Sequence, residues 1–310
     1  MTVLCPACRN AIDLEVSRCD CGFEIKSVNG FPNLTVDFDE KGKTFSNYSP
    51  IAPYYHETRG ADNIIHKQTA DFIYDRYVGS DKVVLDLGAG TGIPGYHLAI
   101  RGANYIAGDA SIEMLSVFKE FAEKADLNNV TFLVMNALNI PLPDDSIDVV
   151  TVRAVFHHIK DYKKVISEIR RILKPSGCLL LIQAKSTSAD PDYIAEIWSK
   201  YEELLSKHGK KLSKTLGPNY KELETYIESA GGKVSEPEQW FSSNPAPDLQ
   251  NTLRVLTNLA LPHLRDIDEE INRKAMAELD LYFTDKYGEN YASLKTNKEV
   301  KQGVYAVSFD

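Results

Sequence analysis

Val83-Val84-Leu85-Asp86-Leu87-Gly88-Ala89-Gly90-Thr91-Gly92 is the stretch that sets the reading of this 310-residue chain. Val83 to Leu87 form a continuous apolar run broken by one acid, the pattern of a parallel strand covered on both faces. Three glycines then alternate with small residues, which permits a tight turn and a close approach of backbone to ligand. Tyr96-His97-Leu98-Ala99-Ile100 can continue as a helix, whose N-terminal N–H groups would face the same ligand. The pattern predicts a nucleotide-type site on a strand–turn–helix unit. The dinucleotide fingerprint requires glycine at its sixth position, and counted from Gly88 that position is Ile93, which weighs against a nicotinamide cofactor.

Residues 81–185 go on alternating strand and helix patterns, as parallel α/β domains do. Asn104 to Gly108 read as a second strand ending at Asp109, 23 positions after Asp86. A carboxylate there can accept two hydrogen bonds at once and so suits the hydroxyls of a ribose; capping of the next helix is the alternative role. Ser111 is expected to cap that helix, with Glu113 in its first turn. A third strand, Val130 to Val134, leads to Asn136-Ala137. Asp144-Asp145-Ser146-Ile147-Asp148-Val149-Val150 opens a fourth, which runs into Arg153-Ala154-Val155-Phe156-His157-His158-Ile159. Asp161 is expected to cap a helix with Val165, Ile166, Ile169, Ile172 and Leu173 on one face, stopped by Lys174-Pro175-Ser176-Gly177.

In their order and spacing these segments resemble class I S-adenosylmethionine-dependent methyltransferases with a type-11-like core, whose motif I reads hDhGxGxG. The resemblance implies a doubly wound, Rossmann-like α/β sheet with a final antiparallel strand, and S-adenosylmethionine as cofactor. It places Asp86, Gly88, Ala89, Gly90, Gly92, Asp109, Ala110, Met114, Asn136, Ala137 and Arg153 at the cofactor. Asn136 stands where the family usually has an aspartate facing the adenine amine; its side-chain carbonyl can still accept that bond. His157 and His158 match the family's hHHh segment at the methyl-donor end, where an imidazole could act as general base or could pack and hydrogen-bond locally. Tyr54-Tyr55-His56-Glu57-Thr58-Arg59-Gly60 resembles the family's Y-D-x-x-R lid, which would bring Tyr55 and Arg59 over the cofactor; aromatic packing of a cap helix is the other reading.

Four of the five cysteines crowd the first 21 residues as C-x2-C-x10-C-x-C: Cys5, Cys8, Cys19 and Cys21. In a reducing compartment such clustering indicates metal binding rather than disulfides. Four thiolates converging on one point suit tetrahedral, structural zinc, and the unit resembles a zinc ribbon; reduced, unmetallated thiols are the alternative. Four regions follow: 1–45, zinc-ribbon-like; 46–80, lid and cap helix; 81–185, the cofactor-binding core; and 186–310, a helical substrate cap with the last sheet strands. With a hydrophobic interior of its own, the core is expected to stay folded when the metal is removed. In the last region Ile194, Ile197, Trp198, Tyr201, Leu204 and Leu205 recur at helical spacing. Helices are also expected over Tyr220–Ala230, Leu253–Leu261 and Ile271–Tyr287, and a last strand over Val304–Phe309.

Composition is that of an ordinary globular protein, 43% hydrophobic and 25% charged, with a formal charge of −9. No global basic field draws the chain to nucleic acid or anionic lipid. The sequence shows neither a signal-peptide core nor an apolar run of spanning length, so no membrane association and a cytoplasmic location are expected. The implied function is methyl transfer to a small molecule. RNA methylation is the runner-up, since zinc ribbons precede the core in some ribosomal-RNA methyltransferases. Against it, residues 1–45 carry five basic and seven acidic groups, whereas a module tracking a phosphate backbone should be basic. An adenosyl-binding partner protein whose ribbon docks another protein is a third, non-enzymatic reading. The acceptor and the oligomeric state are left open.

Overall fold

The computed structural model describes residues 2–15, 17–35, 48–55, 64–188, 192–212, 216–243, 249–295 and 298–309. The N-terminal segment folds as two short hairpins, Val3–Leu4 (β1) with Ala11–Ile12 (β2) and Lys26–Val28 (β3) with Phe31–Asn33 (β4). After a turn at Ser49–Tyr54 comes helix Ile64–Ile73 (α1). The central alternation is Val83–Leu87 (β5), Gly95–Ile100 (α2), Asn104–Asp109 (β6), Ile112–Lys124 (α3), Val130–Val134 (β7), Ile147–Arg153 (β8), Tyr162–Ile172 (α4) and Leu173–Ser188 (β9). The C-terminal region holds Tyr193–Lys207 (α5), Tyr220–Ser229 (α6), Gly232–Val234 (β10), Trp240–Ser243 (β11), Leu249–Thr257 (α7), Glu269–Tyr287 (α8) and Lys298–Phe309 (β12).

The main sheet runs β10-β12-β9-β8-β5-β6-β7-β4-β3, with β11 also paired to β12. Its central pairs are parallel, and β12 lies antiparallel to β9, from Lys298 opposite Ser188 to Val307 opposite Leu179. The parallel centre requires cover on both faces, and each face has its own buried cluster. One gathers Leu85, Leu87, Ile106, Leu133, Val150 and Leu181 against α4 and α6. The other gathers Val84, Tyr105, Val149 and Leu180 against α1, α2 and α3. Ser111 and Asp161 cap α3 and α4 by accepting the N–H groups of Met114 and Lys164, so two boundaries follow directly from local chemistry. The expected turn at Lys174–Gly177 is instead a bulge in one long strand. Leu173 pairs with Ile147, and after a register shift Cys178 pairs with Val149. The helix expected over Leu253–Leu261 spans Leu249–Thr257; shortly after it Leu259 takes φ 47°.

The N-terminal hairpins are joined to the core. Asn33 of β4 pairs in parallel with Val134 of β7, the Leu34 N–H donates to Val134 O at 2.9 Å, and the Leu4 N–H donates to Pro141 O at 2.9 Å. Val3, Ile25 and Leu34 are buried in the cluster that holds Leu133, Met135 and Ile140. A third cluster unites α5, α7 and α8 through Tyr201, Leu205, Leu256, Leu279 and Phe283, with Ile51, Tyr48 and Tyr55 packed on it. Inside it the Tyr201 hydroxyl donates to Asn272 Oδ1 at 2.5 Å, while Asn272 Nδ2 donates to Leu256 O at 3.0 Å. The lysines of α5 lie on its solvated side, where Lys200 pairs with Glu203 and Lys207 with Glu278. No helix among the described residues is long and apolar enough to cross a membrane.

Candidate active site and cysteine cluster

The glycine turn is built by close approach. Gly88 has φ 77°, and a Cβ there would lie 2.4 Å from Val155 Cγ2. At Gly92 (φ 89°) it would lie 2.5 Å from the Phe118 ring. The N–H groups of Gly88 and Ala89 donate to Gly108 O, and that of Gly90 donates to Asp109 Oδ2 at 2.8 Å. The other Asp109 oxygen accepts the Ser111 N–H, also at 2.8 Å. Asp109 thus ties the turn to the end of β6, and burial raises its carboxyl above the usual range. The Ala110 N–H also faces this carboxylate, and its remaining acceptor capacity is open to a ligand.

Asp86 does not reach this cavity. Its buried carboxylate accepts from the Tyr105 hydroxyl and, at 2.9 Å, from Thr151 Oγ1. Burial pushes its pKa up to about 6. It is an anchor between β5, β6 and β8, behind the turn. Ala89 and Gly92 also lie off the cavity wall, packed behind the turn; Ala89 is buried with Ala107 and Leu115. Arg59 lies outside the described residues.

The structure brings the other expected cofactor residues together. Tyr55, Gly88, Gly90, Asp109, Ala110, Met114, Asn136, Ala137, Arg153 and His158 line one cavity at the carboxyl ends of β5, β6 and β8. Tyr48, Leu87, Gly108, Ser111, Met135, Leu138, Ala154, Val155 and Ile159 complete it. The composition fits an adenosyl group: apolar side chains (Met114, Met135, Leu138, Ile159) for a flat base and Asp109 for vicinal hydroxyls, with the glycine backbone leaving room beside them. Asn136 Oδ1 already accepts the Leu138 N–H at 2.9 Å, leaving one lone pair and the amide hydrogens for a ligand. The local sequence gave no sign of Tyr48, which is carried in by the packing of residues 48–55 on the helical cap.

The two histidines line different cavities, although their rings touch, with centroids 3.7 Å apart. His158 lines the cofactor cavity, its Nε2 3.0 Å from the Tyr48 hydroxyl. Tyr48 meets the rings of His158 and Tyr55 edge-on, with centroids 4.8 and 5.9 Å away. His157 lines a second cavity instead, with Phe156, Leu181, Ile182, Gln183, Tyr220 and Leu223. Arg153, Ala154 and Val155 line both cavities, so this short segment is the wall between them. The Tyr220 hydroxyl is buried without a hydrogen-bond partner among the described residues, and burial raises its pKa above the ordinary phenol range.

The Sγ atoms of Cys5, Cys8, Cys19 and Cys21 all lie within 4.8 Å of one another. Cys5–Cys21 and Cys8–Cys19 are each 3.6 Å apart, far beyond a disulfide bond. Tetrahedral zinc with Zn–S of about 2.3 Å places its sulfurs just under about 4 Å apart, so the donor set fits. The Cys21 thiol is lowered to about 7, chiefly by the Phe23 backbone N–H.

The family described as "Methyltransferase domain" matches residues 85–181. That segment contains the glycine turn, Asp109, the Asn136 loop and both histidines. Over these residues the chain is similar to methyltransferase domains. An uncharacterised methyltransferase of Bacillus subtilis, YcgJ, is 40% identical over 103 residues, 32% of this chain and 39% of that protein. A demethylmenaquinone methyltransferase of Thermus thermophilus is 33% identical over 143 residues, 44% of this chain and 63% of that one. The chain thus spans less than two thirds of either relative. A crystal structure of a provisionally assigned methyltransferase from Bacillus halodurans superposes with a TM-score of 0.51 at 18% identity, covering 79% of this chain and 99% of that one. The matched segment runs from within β5 to within β9, and the N-terminal hairpins and helical cap lie outside it.

Proposed function

We propose that this chain transfers a methyl group from S-adenosylmethionine to a small-molecule acceptor held in the second cavity. The observation that carries the reading is the shared wall Arg153–Val155, which sets the adenosyl-type cavity beside a second cavity of mixed lining. Bound S-adenosylmethionine supplies a methyl already activated by sulfonium charge. The work left to this chain is alignment and exclusion of water, worth several orders of magnitude in rate when the reacting groups are held at contact distance. Tyr48 and Tyr55 cover the cofactor cavity from the cap side. His157, on the acceptor side, is the candidate base for an acceptor that must lose a proton; His158, bonded to Tyr48, orients the cover. The small-molecule acceptor named for the Thermus relative supports this class of substrate. Zinc on Cys5, Cys8, Cys19 and Cys21 has a structural role in this reading, because four protein thiolates leave no open coordination position. The negative balance of the N-terminal segment and its burial against the core disfavour an RNA-binding role. Incubation with methyl-labelled donor and, separately, a metabolite extract and bulk RNA tests the reading. Label should enter the low-molecular-weight pool; label in RNA alone would refute it.

A further inference from the structure

The segment after β7, residues 136–142, forms one side of the cofactor cavity through Asn136, Ala137 and Leu138. The far end of that segment is gripped from two directions. From α4, Glu168 accepts the Ile140 N–H at 2.8 Å, and Arg171 donates to Ile140 O at 2.9 Å and to Leu142 O at 2.8 Å. From the cysteine-bearing hairpin, Arg9 Nη1 donates to both Asn139 Oδ1 and Ile140 O at 2.9 Å, and Asn139 Nδ2 returns a bond to Pro6 O at 2.8 Å. The Leu4 N–H adds the bond to Pro141 O. Pro6 lies between Cys5 and Cys8, and Arg9 directly follows Cys8. Arg9 takes φ 65°, and its N–H closes the turn on Cys5 O at 2.8 Å. The grip on the cavity wall is therefore made by the turn that carries two of the four thiols.

We propose that Arg9 is a positioning residue for the 136–142 segment, and that metal occupancy of the four-cysteine site sets affinity for the adenosyl cofactor. The inference rests on the reading of the first cavity as the cofactor site. A turn of four to five residues with a left-handed arginine has little to hold it alone. Thiolate–metal bonds on Cys5 and Cys8 fix its shape and with it the direction of the guanidinium. When the metal leaves, the turn relaxes and Asn139 and Ile140 lose their partners on one side, while the α4 bonds keep the segment attached. The wall then samples more conformations, and binding has to restrict them again, which weakens affinity without removing any group that touches the ligand.

The probe is S-adenosylhomocysteine, titrated calorimetrically into the full chain under reducing conditions, as purified and after chelation, with metal content measured on each sample. Chelation should weaken binding about 10-fold, and Arg9→Ala about 5-fold with metal retained. Chelating Arg9→Ala should then weaken it less than 3-fold further, because the arginine carries most of the effect. Hydrogen exchange at the amides of Leu138 and Ile140 should quicken in both cases, a readout that a general loss of stability elsewhere would not single out. If Arg9→Ala fails to fold, Asn139→Ala removes the same link from the other side and should weaken binding comparably. Arg18→Ala, which breaks only the exposed Arg18–Glu24 pair on the same hairpin, should leave affinity unchanged. An affinity that ignores both chelation and Arg9→Ala overturns the coupling while leaving the cofactor site standing. Absence of binding in the untreated chain overturns the cofactor reading and this inference with it.

Discussion

Substituting alanine at Gly88 tests how tightly the cofactor turn is drawn. Two costs add. The residue sits at φ 77°, where an L-side chain costs roughly 1–2 kcal/mol. Its Cβ would also lie 2.4 Å from Val155 Cγ2, an overlap that forces side-chain or backbone shifts typically worth about 1–3 kcal/mol. Gly88→Ala should therefore lose about 2–5 kcal/mol, divided between stability and affinity because the turn and Val155 both line the cavity. Val155→Ala in the same chain removes the clashing methyl but not the backbone strain. The double variant should recover the overlap part and stay about 1–2 kcal/mol below the Val155→Ala parent. Chemical unfolding and S-adenosylhomocysteine calorimetry on the four chains of the cycle give both quantities. Parent-like stability and affinity for Gly88→Ala would show that the turn has room to spare and that the close approach is not what glycine provides.

Asp86 gives a pH prediction. Its carboxyl lies near 6 in the folded chain against 3.8 ordinarily, so the folded state binds the proton more tightly. That stability is fully present below about pH 4 and is lost as pH rises through 6, about 3 kcal/mol in all. Asp86→Asn should remove this slope, so that the stability difference from the parent shifts by that amount in favour of the variant between pH 4 and 7; parallel curves would refute it. For the histidines, single-turnover transfer should fall about 10²–10⁴-fold in His157→Gln when the acceptor must lose a proton, with cofactor affinity kept. His158→Gln should act mainly on cofactor affinity, and the reverse pattern would exchange the two roles.

The parallel core was legible because its signals are local. Val83–Leu87 is apolar but for Asp86, Ser111 and Asp161 announce their helices, and Asp109 closes its strand with a short polar turn. Asp109 followed from the same pattern, whereas Ala110, Met114, Asn136, Ala137 and Arg153 were implied by the family resemblance. What escaped the sequence is contact at a distance. Arg9 and Asn139 are 130 residues apart, and nothing in Cys5-Pro6-Ala7-Cys8-Arg9 specifies the partner of the guanidinium. Asp86 sits in the motif but turns inward, because Tyr105 and Thr151 on neighbouring strands offer it hydroxyls. The two histidines lie side by side on a short helical turn with their rings in contact, yet they line different cavities, a division that residue type alone does not encode. The helix ends at Ile172, just before Lys174-Pro175-Ser176-Gly177 as expected, but those four residues form a bulge within β9 rather than a separate turn, because Leu173 pairs with Ile147.

Calorimetric titration of S-adenosylhomocysteine into the parent chain and Asp109→Ala tests the cofactor cavity most directly. One site per chain is expected. Loss of a charged acceptor for two hydroxyls should weaken it by on the order of 2 kcal/mol, about 30-fold. No binding to the parent, or equal affinity in the two chains, would contradict the assignment.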